Sequence, residues 1–253
     1  MLKSMKADLL QVNVYKNRDE MGCAAAADIA AAIKRVLAEK EVCNMIFAAA
    51  PSQNEVLAAV AGDPSIDFTR VNAFHMDEYI GLPGDAPQAF GNFLRRALFE
   101  KASFRNVFYI EGNAADVNAE CARYTALLEQ YPTDIVVLGI GENGHVAFND
   151  PPVADFADPV LIKPVPLDPI CRQQQVNDGC FASIDLVPTH ALTLTVPALM
   201  KGKKLFCVVP APTKANAVEA TVKGSVGEHC PATAMRSHPG AILYLDPDSA
   251  AKL

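Results

Sequence analysis

The sequence has no cluster of lysine or arginine, and its 22 basic residues are outnumbered by 29 acidic ones. A formal net charge of -7 argues against nucleic acid or an anionic membrane as the main partner, because both require a positive surface. Any anionic ligand must therefore meet local basic residues. Long apolar runs are also missing. The alanines from Ala24 to Ala27 are interrupted by Asp28 and fit an amphipathic helix, so neither a signal peptide nor a membrane span is evident, and a cytoplasmic location is expected. There is no C-x-x-C. Seven cysteines, an odd number spread from Cys23 to Cys230, read as reduced thiols rather than disulfides or zinc ligands. Cys171 stands beside Arg172, but packing is its first explanation. No repeat, low-complexity segment or linker divides the chain. With 51% apolar residues, 253 residues can bury a full core, and one domain spanning 1–253 is expected.

What is present is concentrated between Val136 and Pro152. The apolar, β-branched run 135–138 suits a strand covered on both faces, and Gly139 and Gly141 then free the backbone for a tight turn. Glu142, Asn143, His145 and Asp150 follow. Gly139, Gly141 and Gly144 fit G-x-G-x-x-G, the spacing of a dinucleotide loop. That assignment fails because Pro151-Pro152 follows too soon for a helix to open at the third glycine. A catalytic or binding loop remains.

Along the chain, 9–15 alternates as a strand, Asn17 caps a helix reaching Glu39, and 42–47 is the next strand. Ser52 and Glu55 have capping-box spacing, which would open a helix whose N–H groups hold a phosphate. Residues 71–76 form a third strand delivering Asp77-Glu78-Tyr79 to its carboxyl end, where open parallel sheets bind ligands. A helix over 85–100, a strand over 107–110 and a helix over 116–130 precede the central strand. Residues 151–169, rich in Pro and Asp, read as an extended loop across the site. Strands are expected at 191–196, 204–209 and 241–245, and Thr213 as the cap of a helix ending at Val222. Lys214 in that helix's first turn opposes the helix dipole, which points to a bound anion. Alternating strands and helices predict an α/β fold, a mostly parallel central sheet with helices on both faces in a three-layer, Rossmann-like arrangement.

Met76-Asp77-Glu78-Tyr79-Ile80-Gly81-Leu82, the Gly139–Pro151 loop with its G-H-x-A-F-N core, Thr213-Lys214 and Ser237-His238-Pro239 resemble, in the same order, the glucosamine-6-phosphate deaminase (isomerase) family. Phe148-Asn149-Asp150 resembles the deaminases rather than the related 6-phosphogluconolactonases, which share the fold. The resemblance implies conversion of an amino-sugar 6-phosphate to a ketose 6-phosphate and ammonia, with no organic cofactor or metal. It implies Asp77 as the base that moves a proton from C2 to C1, and His145, oriented by Asn143 and Asp150, as the acid–base group of ring opening. Arg172, Lys214 and the helix start at Ser52, Gln53 and Asn54 would meet the phosphate. Relatives are often homo-oligomers.

Four departures stand out. The family's T-G-x-T-P loop is here Ala50-Pro51-Ser52-Gln53-Asn54, so phosphate geometry must differ. Its ring-opening glutamate corresponds to Asp150, one methylene shorter. Asn143 stands where many relatives carry aspartate. Residues 152–164 lack the Ser/Arg-rich segment that binds an N-acetyl sugar-phosphate activator, so no such activation is expected. The rivals are a galactosamine-6-phosphate deaminase, a related sugar-phosphate isomerase, and a non-catalytic sugar-phosphate sensor.

Overall fold

The computed structural model describes all 253 residues. Its strands in chain order are β1 (Lys3–Ala7), β2 (Leu10–Val14), β3 (Cys43–Phe47), β4 (Val71–His75), β5 (Asp77–Tyr79), β6 (Asn106–Phe108), β7 (Ile135–Leu138), β8 (Ile162–Pro166), β9 (His190–Leu194), β10 (Lys204–Val209) and β11 (Ala241–Leu245). Eight of them form one sheet in the order β1-β2-β11-β10-β7-β3-β4-β6. All neighbours in it are parallel except the β1–β2 hairpin.

The helices are α1 (Arg18–Glu39), α2 (Asn54–Ala61), α3 (Phe90–Leu94), α4 (Val117–Gln130), α5 (Pro169–Asn177), α6 (Val196–Met200) and α7 (Ala215–Lys223). Asn17 caps α1 as expected, its Oδ1 accepting from Glu20 N at 2.8 Å. Successive side chains of a strand point to opposite faces, and β7 shows the result. Ile135 and Val137 pack with Ile29 and Ile33 of α1 and Val56 of α2, while Val136 and Leu138 pack with Leu128 of α4, Leu199 of α6 and Val218 of α7. Burying one such side chain contributes roughly 1.5–3 kcal/mol, so the unbroken apolar run of β7 is what makes it central. This is the three-layer α/β arrangement anticipated from the sequence.

Several local expectations are corrected. The third strand does not simply end. After His75 the chain leaves the large sheet, and β5 joins a second, antiparallel sheet of order β5-β9-β8. The segment 151–169 is accordingly not all loop, since it contains β8, and β9 belongs to this small sheet. Residues 85–89 are turns, and α3 begins only at Phe90 before a π-helical turn at Arg95–Phe99. The Ser52–Glu55 capping box does not form. Pro51–Gln53 makes a 3-10 turn, no side chain caps α2, and both carboxylate oxygens of Glu55 accept from Arg18 instead. Thr213 likewise does not cap α7, because it sits inside a second 3-10 turn, Pro212–Lys214.

Candidate active site

Four neighbouring strands of the large sheet, β10, β7, β3 and β4, send their carboxyl ends to one cleft. It is lined by Ser52 and Gln53 after β3, Asp77 after β4, Gly139, Gly141 and His145 after β7, and Lys214 after β10. A parallel sheet necessarily gathers these loops on one edge, which is why its ligands bind there.

Asp77 is 6% exposed and held through its backbone. Ile110 N donates to His75 Nε2 at 2.9 Å, so the proton of this neutral ring is on Nδ1, which donates to the Asp77 carbonyl at 2.9 Å. Burial drives the pKa of His75 down to about 4, so this support persists across the neutral range. The Asp77 carboxyl is raised well above the usual carboxylate range, first by burial and then by the charge of Glu78. Its neighbour Glu78 is committed elsewhere, accepting from the backbone N–H groups of Tyr79, Phe90 and Gly91 at 2.8–3.0 Å.

His145 faces the same cleft from a loop with two residues in the left-handed region, Gly144 (φ 87°) and Ala147 (φ 50°). Only glycine fits at 144, since a Cβ there would lie 2.7 Å from Cys230 Sγ. At Gly141 a Cβ would lie 2.1 Å from His145 Cε1, so the imidazole rests directly on that backbone. His145 Nδ1 lies 2.7 Å from Asn143 Oδ1 and 2.9 Å from Asp150 Oδ1. Both are acceptors, so the ring proton is assigned to Nδ1 and Nε2 is left as a lone pair. Asn143 Nδ2 also donates to Asp150 Oδ1 at 2.9 Å. For Asp150, burial pushes the carboxyl upward, but hydrogen bonds and charge from His145, with Asn143 and the Asp168 N–H, outweigh it and leave the group below its ordinary value.

The two halves of the cleft share one anchor. Thr193 of β9 pairs with Asp77 across the small sheet, and its Oγ1 accepts from Phe148 N at 3.0 Å. The second sheet thus ties the Asp77 strand to the His145 loop.

Lys214 is 4% exposed and its Nζ has no hydrogen-bond partner. Burial lowers its pKa, against the opposing charges of Asp178 and Glu142. A buried ammonium without a partner at a cleft wall carries an uncompensated desolvation cost.

Two assignments need correction. Arg172 does not line the cleft. Its Nη2 donates to the carbonyls of Ile184 and Val187 at 2.7 and 2.8 Å, so the guanidinium ties α5 to the following turn. Asn54 is exposed outside the cleft, and the N–H groups of Gln53 and Asn54 are taken by the Ala50 and Pro51 carbonyls rather than left open for a phosphate. Sequence reasoning missed Gln174 and Gln175, which do line it. The missing signal was helical periodicity: Cys171, Gln174 and Gln175 form the buried face of α5, and Arg172 falls off it.

The site places a carboxyl held toward its neutral form, an imidazole with a free nitrogen, and a buried, unpartnered lysine amine around one cleft in an α/β fold. These are the parts of a proton-transferring enzyme for a small anionic substrate. The chain belongs to the glucosamine-6-phosphate isomerase/6-phosphogluconolactonase family, whose model matches residues 16–154. Over 210 residues it is 35% identical to a glucosamine-6-phosphate deaminase of Listeria welshimeri, covering 83% of this chain and 88% of the relative. It is 31% identical to one from Enterococcus faecalis over 195 residues, 74% of this chain and 78% of the relative. Among solved structures, a monomeric glucosamine-6-phosphate deaminase superposes with a TM-score of 0.87 at 28% identity, covering 98% of this chain and 99% of that one. The 6-phosphogluconolactonase of Thermotoga maritima shares the fold, with a TM-score of 0.76 at 19% identity over 94% of this chain and 99% of that one. No helix is long and apolar enough to cross a membrane.

Proposed function

We propose that the chain, acting as one domain in the cytoplasm, is a glucosamine-6-phosphate deaminase that converts glucosamine 6-phosphate and water to fructose 6-phosphate and ammonia. The observation that carries this reading is the single cleft shared by Asp77, His145 and the unpartnered Lys214. His145 Nε2 accepts the proton of the anomeric hydroxyl and returns a proton to the ring oxygen, opening the pyranose. Asn143 and Asp150 hold the imidazole and stabilise it while it is charged. Asp77 takes the C2 proton, and the electron pair left behind forms the C1–C2 double bond while the C1 oxygen takes a proton from solvent, giving an enol. The same carboxyl gives the proton to C1, leaving a C2 iminium. Water adds there, and ammonia leaves as the ketone forms. A carboxyl raised by burial suits this double role, because a base whose pKa lies near the working pH both accepts and releases a proton readily. Lys214 meets the phosphate, with Ser52 and Gln53 lining the same cleft.

The deciding assay is ammonia release from a panel of glucosamine, galactosamine and aldose 6-phosphates. Release from glucosamine 6-phosphate with the highest kcat/KM is expected. A preference for the galactosamine epimer would move the assignment to that deaminase, and binding without turnover would make the chain a sensor.

A further inference from the structure

The cleft-facing side of α5 has a division of labour among its glutamines. Gln174 is spent within the chain: its Oε1 accepts from Glu142 N at 2.8 Å and its Nε2 donates to Asp178 Oδ2 at 3.3 Å. Gln175 is 8% exposed, lines the cleft, and its carboxamide makes no hydrogen bond within the protein. In the same cleft Gln53 Nε2 donates to Ser52 Oγ and Val208 O at 3.1 and 3.0 Å, which leaves its buried Oε1 without a partner. Lys214 Nζ is the third unpartnered group. Buried polar atoms are almost always hydrogen-bonded, so the two orphaned ones, Gln53 Oε1 and Lys214 Nζ, with the free carboxamide of Gln175 in the same cleft, are matched to a ligand carrying both acceptors and a donor. No second cation lines it: Arg172 lies outside the cleft, its Nη2 bound to the Ile184 and Val187 carbonyls and its Nε without a partner.

We propose that the substrate's phosphate is held by one cation, Lys214, with the carboxamide of Gln175 as its neutral second donor and Gln53 Oε1 accepting from a hydroxyl of the same ligand. Gln175 is then a specificity-determining residue. Its N–H groups direct phosphate oxygens by geometry, and the anion is recognised with a single positive charge. This rests on the sugar-phosphate deaminase reading above and deepens it.

The test compares Gln175→Met, which keeps volume and removes the donor, with Gln175→Glu, which replaces it by charge, and Lys214→Met. Steady-state ammonia release gives KM and kcat, and inorganic phosphate serves as a competitive probe. Gln175→Met should raise both KM and the phosphate inhibition constant roughly tenfold, the loss of one hydrogen bond to a charged group, with kcat within about twofold. Gln175→Glu should raise both further, and Lys214→Met should abolish phosphate inhibition. Unchanged KM and inhibition constant in either Gln175 variant would overturn the proposal, as would phosphate inhibition that survives Lys214→Met. Should Gln175→Met fail to fold, the Gln175→Glu result decides. Should the wild-type protein release no ammonia, the deaminase reading falls, and calorimetric titration of phosphate into the wild-type and Gln175 proteins still decides whether this anion site exists.

Discussion

Replacing Asp77 by asparagine separates two consequences of one environment. The carboxyl sits 6% exposed beside Glu78, and both burial and that charge favour its neutral form. Because the folded-state pKa is raised above the unfolded value, the sign is fixed. Below the unfolded value, near 3.9, both states hold the proton and the group costs nothing, whereas above it folding increasingly works against ionisation. At pH 7 the wild-type protein therefore carries a penalty that the neutral amide of Asp77→Asn avoids. Removing one such desolvated, poorly paired group should stabilise by about 1–3 kcal/mol. For a chain of this size that corresponds to a Tm increase of roughly 2–10 °C, and the increase should fade as the pH is lowered toward 4. Activity should move the other way. An amide cannot take the C2 proton, so kcat should fall roughly 10²- to 10⁴-fold while KM changes little, since the amide fills the same space. Calorimetric melting of both proteins between pH 4 and 8, with ammonia-release kinetics at pH 7, reads both effects. Near-normal kcat would remove Asp77 from the base role. A Tm that falls at pH 7, or a gain that grows toward acid pH, would refute the electrostatic account.

Two further substitutions probe the frame around the site. Gly141→Ala puts a Cβ where His145 Cε1 now lies 2.1 Å away, so the ring must shift. A displacement of about 1 Å should lower kcat on the order of 10²-fold with the circular dichroism spectrum unchanged, and full activity would show that the ring's seat is not critical. Arg172→Met removes the two bonds to the Ile184 and Val187 carbonyls. It should lower Tm by roughly 2–10 °C, the effect of about 1–3 kcal/mol, and raise KM far less than Lys214→Met does. A KM increase equal to that of Lys214→Met would return Arg172 to the phosphate.

Much of this protein was determined by signals carried within a few residues. The apolar run of β7 ending at Gly139 identifies a covered parallel strand and the loop after it, and Asn17 announces α1, because strand periodicity, glycine freedom and capping depend on neighbours in sequence. The pairing of His145 with Asn143 and Asp150 is similarly local, spanning eight residues of one loop. Tertiary structure decided what depends on partners far along the chain. Ser52 and Glu55 have the spacing of a capping box, yet Arg18 draws Glu55 away across 37 residues. Arg172 looked like the phosphate ligand until the orientation of α5 turned Gln175 to the cleft and sent the guanidinium to carbonyls 12 and 15 residues on. The antiparallel β5-β9-β8 sheet, which brings Asp77 and the His145 loop onto the same Thr193, joins segments more than a hundred residues apart. A local pattern states which conformations and charges a segment offers. The packing of distant segments selects which side chain meets the ligand and which is spent holding the fold.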